Sequence, residues 1–383
     1  MTADRTHPLL LQALRESSVE PLLTLAPDEW VAVVAEAERQ GLVPLLHDWI
    51  TRTGRRERVP AQALDRLKGE RIAVAARSLF LATELVAILR AFEASNVRCA
   101  PLRGPALAEQ LHGDLTLRPM GDLDLLVRKD QLTQLSEVLG SLGFQEVDRR
   151  PGFARAYSYT LKLVKDSHLP VVVEPHWTIA YPPFVDAVDM PGVWQRCSRG
   201  TAVGVETWRL GREDTFVNLC LHAVHRDDAP LLWFWELDRL VRREPLAWRL
   251  IVSRCHAAGI GVLLAAALER TRALFATPVP EEGLAPLAGP ASRGSRSRLV
   301  RLLADGRDVD GRESLALFLA LPGLRARLRY LVALLFPTPA FMRLHYGVRR
   351  RDEVARAYVG RLARFSWEAL KGLLRLVRRP VQV

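Results

Sequence analysis

Over residues 1–95 apolar positions recur every three or four residues. Leu42, Val43, Leu45 and Leu46 form one such pattern, and ARSLFLATELVAILRAFEAS forms another. That period predicts amphipathic helices. The pattern shortens after Asn96. NVRCAPLRG reads as a short strand ending in a Gly turn, and PALAEQLHG as a helix closed by Gly113. GDLDLLV reads as a strand, KDQLTQLSEVLGSLGF as a helix with Gly143 near its C′ position. ARAYSYTLKLV and PVVVEPHWTI, rich in Val, Tyr and Thr, predict two further strands. From about Asp214 the helical period returns, broken by the Pro/Gly/Ser-rich stretch 277–298, which predicts a linker or long loop.

These elements predict an α+β fold. A small mixed-sheet core at 96–205 lies between an N-terminal helical region, 1–95, and a C-terminal helical region, 206–383.

Alternation also sorts chemistry onto faces. In GDLDLLV, Asp122 and Asp124 share one face while Leu123 and Leu125 share the other. Adjacent buried carboxylates repel unless protonated, paired with Arg or bridged by a cation. Mg²⁺ prefers carboxylate oxygens and keeps positions open for phosphate, so Asp-x-Asp at a strand end suits phosphoryl or nucleotidyl chemistry. Two surface aspartates would give the same spacing. The upstream turn adds weight: Gly104 permits close backbone approach, the following helix offers its N-terminus, and Arg103 and Arg118 can pair with phosphate oxygens. In VVVEPHW, Val172, Glu174 and His176 share a face, so Glu174 is a candidate third carboxylate, and His176 is read as a packed or hydrogen-bonding histidine. Pro175 cannot donate to a ladder, which places this segment at a sheet edge or strand end.

Composition adds less. The net charge of +11, carried mostly by Arg, suits an anionic partner and equally fits a coding bias. Cys99, Cys197, Cys220 and Cys255 are scattered without a CxxC pair, as expected of free thiols in a reducing compartment. MTADRTHPLL lacks the pattern of a signal peptide, and no apolar run approaches the roughly 18 residues of a spanning helix. A cytoplasmic bacterial protein is the expectation. There is no Walker A motif, GxGxxG fingerprint or GxSxG elbow.

The run LRGPALAEQLHGDLTLRPMGDLDLLV, followed by Glu174, His176 and Trp177, resembles the uncharacterised bacterial nucleotidyltransferases of the polymerase-beta-like superfamily. VNLCLHAVHRDDAPLLWFWELDRLV and FPTPAFMRLHYG extend the likeness over about residues 75–360. Arg103 stands where that family usually has Lys. Gly104-Pro105 replaces the Gly-Ser pair more common in the superfamily, and His112 takes the place of a frequent aromatic. The resemblance implies Mg²⁺- or Mn²⁺-assisted transfer of a nucleoside monophosphate from an NTP, with ATP expected. The acceptor is a hydroxyl or phosphate on a small molecule, peptide or protein, with natural-product or polysaccharide biosynthesis as the expected setting. Asp122, Asp124 and Glu174 are the implied catalytic and metal-holding residues; Arg103, Gly104, Arg118 and Gly121 are the implied nucleotide-binding set. The carboxylate oxygens are then expected to converge within about 4–6 Å. A non-catalytic nucleotide-binding or membrane-associated scaffold, and a toxin-like transferase acting on protein or tRNA, remain as alternatives.

Three other groups have mainly structural readings. His222 and His225 share a helix face and are expected to pack where helices meet the sheet, rather than to bind metal with Asp227, Asp228 or Asp238. Trp233, Phe234 and Trp235 are expected in the core. SWEALKGLLRLVRR sets Trp367, Leu370, Leu374 and Val377 against Lys371, Arg375 and Arg378; packing with a solvated basic face is the main reading, peripheral membrane contact the second. The Arg349–Arg351 run is read as solvated, so nucleic acid is not the expected partner.

Overall fold

The computed structural model describes residues 3–147, 150, 152–226, 228–243, 245–288, 312–321, 323–348 and 350–377. Helices α1 (Ala3–Glu16), α2 (Trp30–Arg39), α3 (Val43–Arg52) and α4 (Ala61–Ala94) precede β1 (Cys99–Pro101), α5 (Pro105–His112) and β2 (Leu123–Val127). Then come α6 (Leu132–Ser141), β3 (Gln145–Glu146), α7 (Phe153–Tyr157), β4 (Leu163–Lys165) and β5 (Val171–His176). Helix α8 (Met190–Arg196) leads to the hairpin β6 (Ser198–Ala202) and β7 (Val205–Arg209), followed by α9 (Arg212–His225) and α10 (Leu231–Arg243). Helices α11 (Trp248–Ala257), α12 (Gly261–Phe275) and α13 (Glu281–Ala288) complete this part, and four helices lie between Arg312 and Val377. The fold is α+β.

The five-stranded sheet has the order β1-β2-β5-β4-β3. Strand β2 pairs antiparallel with β1 and parallel with β5, in a register that sets Asp124 beside Glu174. Alternation then divides the faces. Leu123, Leu125, Val127, Val171 and Val173 pack with Leu81, Leu85 and Phe92 of α4 and with Leu135 and Leu139 of α6. Leu126 belongs to a second core, built from helices of both chain ends: Trp30, Leu46 and Ile50 sit with Phe216, Phe234 and Leu264. Asp124 opens on the side where α9 lies. The hairpin is tied to β1 by the Thr207 hydroxyl, which donates to the Cys99 carbonyl at 2.9 Å.

Several expectations change. Of the segment 154–164, read as a strand, the first part is the short helix α7; only Leu163 and Val164 enter β4. Gly152, in the left-handed region at φ 76°, starts that helix, and Ala154-Arg155-Ala156 favours it. Strand β5 is central rather than an edge. Pro175 is accommodated because it lies one residue from the strand's end, where its carbonyl accepts from Leu161 N–H at 3.1 Å. Helix α13 occupies 281–288 within the stretch read as a linker, whose remainder from 289 lies outside the described residues.

One helix, α4, is long and apolar enough to cross a membrane by length and composition, contrary to the expectation that no segment comes near that limit. Charges at Arg77 and Glu84 interrupt its apolar run, and one face of it packs on the sheet. Phe234 and Trp235 are buried, as core residues. Trp367 is exposed on the helix Arg351–Val377, while the side chains of Leu370, Lys371, Leu374, Arg375 and Val377, and all of Arg378, lie outside the described residues, as does Arg349.

Candidate active site

The parallel pairing of β2 and β5 is what assembles the site. Asp124, Glu174 and His176 each present a ligand atom within 4.8 Å of the others. Asp124 is nearly enclosed, with 6% of its surface exposed, and both its oxygens are engaged. Arg103 Nε donates to Oδ2 at 3.0 Å and Arg103 Nη2 lies 2.9 Å from Oδ1. His176 Nε2 is 2.9 Å from Oδ1. Burial alone would push the Asp124 carboxyl up; the Arg103 charge and the His176 hydrogen bond outweigh it and hold the group far below the usual carboxylate range.

Asp122 stands one residue before β2 and outside that three-residue group. Asp124 and Glu174 converge as expected, and His176 joins them. Asp122 is still within the field of the site. Its carboxyl is pushed up by burial and then by the Asp124 charge, and Glu174 is raised by burial and then by both aspartates. Neither Asp122 nor Glu174 has an ion-pair partner within 4 Å among the described residues.

The basic residues divide. Arg103 reaches from the β1–α5 turn to Asp124 and also donates to Asn218 Oδ1 on α9 at 3.3 Å. Arg118, expected to orient phosphate, is committed elsewhere. Its Nε donates to Glu236 Oε1 at 2.7 Å, and His112 Nε2 shares that oxygen at 2.9 Å. All three side chains are almost wholly buried. Burial would raise Glu236, but Arg118 and His112 outweigh it and keep the carboxyl low. Helix α10 thus supplies an anion that sequence spacing gave no reason to pair with Arg118.

Gly104 caps α5 at φ 62° and ψ −134°, a backbone conformation that a side chain strains. Pro105 opens the helix, and Ala108 N–H bonds the Gly104 carbonyl at 3.0 Å. Gly121 has no such constraint; its carbonyl accepts from Arg77 at 3.0 Å, which ties the approach to β2 onto α4. The Ser78 hydroxyl does the same for the Arg118 carbonyl at 3.1 Å.

Helix α9 closes the site from above. His222 is half-buried within the field of Arg103 and Asp124, and its ring lies 3.8 Å from that of Trp233, centroid to centroid. Burial first, then the Arg103 charge, holds its imidazole well below its usual range, so the ring is neutral. His225 packs 4.1 Å from Tyr181. Both histidines pack at the helix–sheet junction; Asp227 lies outside the described residues, while Asp228 pairs with Arg226 and Asp238 with Arg242. Among the described residues, neither histidine enters a metal-binding group.

Two carboxylates and an imidazole within 4.8 Å suit a divalent cation, and a further carboxyl in Asp122 adds negative charge. The raised carboxyls of Asp122 and Glu174 point the same way, because a bound cation would relieve their repulsion. A family model described as uncharacterised nucleotidyltransferase matches residues 26–276, which takes in every residue of this site. The chain belongs to that family. No curated protein matches it. This nucleotidyltransferase is accordingly a transferase with an NTP substrate.

His176, read from the sequence as a packed or hydrogen-bonding histidine, does bond Asp124, and it also joins the group that could hold a cation. The signal was present: it lies two positions beyond Glu174 on the same strand face. Asn218 and Glu236 had no such signal, since each residue lies more than 90 positions beyond the end of β2.

Proposed function

We propose that this nucleotidyltransferase moves a nucleoside monophosphate, AMP in the favoured case, from an NTP to a hydroxyl or phosphate acceptor on a small molecule, peptide or protein. The observation that carries the reading is the β2–β5 register, which sets Asp124 and Glu174 side by side beneath the Gly104 turn.

Asp122, Asp124 and Glu174, with His176 beside them, would hold Mg²⁺ or Mn²⁺. When bound, that cation would neutralise charge developing on the phosphate oxygens. The chain's own groups do the rest. Gly104 opens α5, and the N-terminal end of that helix would face the anionic oxygens of the triphosphate. Arg103 fixes Asp124 and places a positive charge beside the same phosphates. The acceptor oxygen attacks the α-phosphorus; its proton passes to Glu174 where that carboxylate acts as base instead of as a metal ligand, and pyrophosphate leaves with the electrons of the cleaved bond. Arg118 is a positioning residue: joined to Glu236, it anchors the loop that carries Asp122.

A tailoring step in natural-product or polysaccharide biosynthesis fits this acceptor range. Buried, free cysteines support a reducing, cytoplasmic setting. Exposed Trp367 on a basic helix supports a peripheral membrane contact.

The deciding experiment incubates the protein with each α-labelled NTP, Mg²⁺ or Mn²⁺ and acceptor mixtures, beside Asp122→Asn and Asp124→Asn. Label transfer that both substitutions abolish supports the reading. Nucleotide binding by calorimetry without transfer to any acceptor would favour the non-catalytic scaffold. Absence of binding would overturn both.

A further inference from the structure

A cavity of about 250 Å³ lies away from the carboxylates, between the end of β1, helix α5, the end of β7, the start of α9 and the end of α10. Its polar lining is Arg209, Arg212, Arg243, Gln110 and Thr215, with no Asp or Glu among the lining residues. Its apolar lining includes Leu102, Leu107, Leu210 and Leu240. Burial orders the two sets. Leu102, Leu107 and Leu240 are buried and form the floor, while Arg212 and Arg243 are exposed and Arg209 half-exposed at the mouth.

The described hydrogen bonds of Arg209 and Arg243 go to neutral oxygens. Arg209 donates to the Thr201 carbonyl at 2.6 Å and to Gln110 Oε1 at 3.1 Å. Arg243 donates to the Gln110 carbonyl. Those contacts hold the guanidiniums in place without cancelling their charge. Arg212, at the same mouth, donates to the Pro245 carbonyl at 3.2 Å. Arg209 and Arg243, both held on Gln110, bring two like charges to one mouth, and a shared anion would offset their repulsion. An ion alone would leave the leucine floor unused, and at about 250 Å³ the cavity is at the small end of ligand pockets, which favours a small occupant.

We propose that this cavity binds a small amphipathic anion, an oxyanion head with a short apolar tail, with the head on Arg209 and Arg243 and the tail on the leucines. A phosphate monoester suits the mouth best, because guanidinium groups pair with phosphate oxygens in a fork and a phosphate presents more oxygens than a carboxylate. The site is separate from the catalytic carboxylates but adjoins them through the chain: Leu102 lies on the cavity and Arg103, the next residue, holds Asp124. Binding requires no turnover, so it stands or falls apart from the proposed reaction.

Calorimetry on the full chain with propyl phosphate, inorganic phosphate and butanoate tests this. Propyl phosphate is expected to bind more tightly than either of the others. Arg209→Gln combined with Arg243→Gln should weaken it at least tenfold and leave NTP affinity within twofold. Gln110→Glu, which keeps shape and brings a carboxylate to the mouth, should weaken it similarly with an unchanged melting temperature, so that loss of binding is not loss of fold. Equal affinity for butanoate would assign the head to a carboxylate source and remove the phosphate preference. No binding by any probe, binding unaffected by Gln110→Glu, or full competition between propyl phosphate and NTP would overturn the site.

Discussion

Arg103 grips Asp124 through both carboxylate oxygens, at 3.0 and 2.9 Å, inside a nearly closed part of the protein. The pair gives Asp124 a role in stability as well as in chemistry. Asp124→Asn strands the Arg103 guanidinium, and breaking a buried ion pair by removing one partner costs about 3–5 kcal/mol. Denaturant unfolding should show a loss of that order, alongside loss of nucleotidyl transfer.

Asp122→Asn should separate the two roles. Ionised Asp122 is opposed by burial and by the Asp124 charge, so its neutralisation removes repulsion. Unfolding free energy at pH 7.5 is expected to hold or rise while label transfer falls by about 100-fold or more. A stability loss like that of Asp124→Asn would show that Asp122 has an ion-pair partner.

The pH dependence of stability carries a signature of His222. Its folded pKa lies well below the ordinary histidine value, so the folded state refuses a proton that the unfolded chain accepts. The contribution is complete above pH of about 6.5 and is lost as pH falls below it, with a slope approaching about 1.4 kcal/mol per pH unit. His222→Phe, which keeps the stacking on Trp233, should flatten the curve between pH 6.5 and 5 relative to the parent.

Glu236→Gln removes the anion shared by Arg118 and His112. Two buried basic groups are left without it, so a cost of about 3–5 kcal/mol is expected. Hydrogen exchange should quicken in the loop 113–122 before it does in β4 or β5.

Gly104→Ala tests the turn rather than the space around it. A Cβ there would meet the Asp122 carbonyl at an ordinary 3.6 Å, but φ 62° remains strained. A cost of about 1–3 kcal/mol is expected. Calorimetry should also show weaker nucleotide binding, because relief of that strain moves the start of α5.

Periodicity made much of this protein legible. Two-residue alternation in 121–127 and 171–176 identified β2 and β5, their buried faces, and the pairing of Asp124 and Glu174 with one side of the sheet. Gly113 and Gly143 marked helix ends, both at positive φ. Where the reading failed, two local signals had competed. The segment 154–164 has strand composition, yet a Gly start and local helix propensity win over its first part. Pro175 argued for a sheet edge or a strand end, and the strand end holds: it is the penultimate residue of β5, a central strand, and its carbonyl still pairs.

What the sequence determined by itself was local: which segments are helix or strand, which face of each is apolar, and which carboxylates share a face, because all of these depend on backbone period. The tertiary structure alone decided partnership. It gave Arg103 to Asp124 across the β1–β2 pair, His176 to the same carboxylate across the parallel β2–β5 pair, and Arg118 to Glu236 across 118 residues. A charge buried away from water takes whichever counter-charge the fold brings within reach, and that choice is made by packing, not by spacing along the chain.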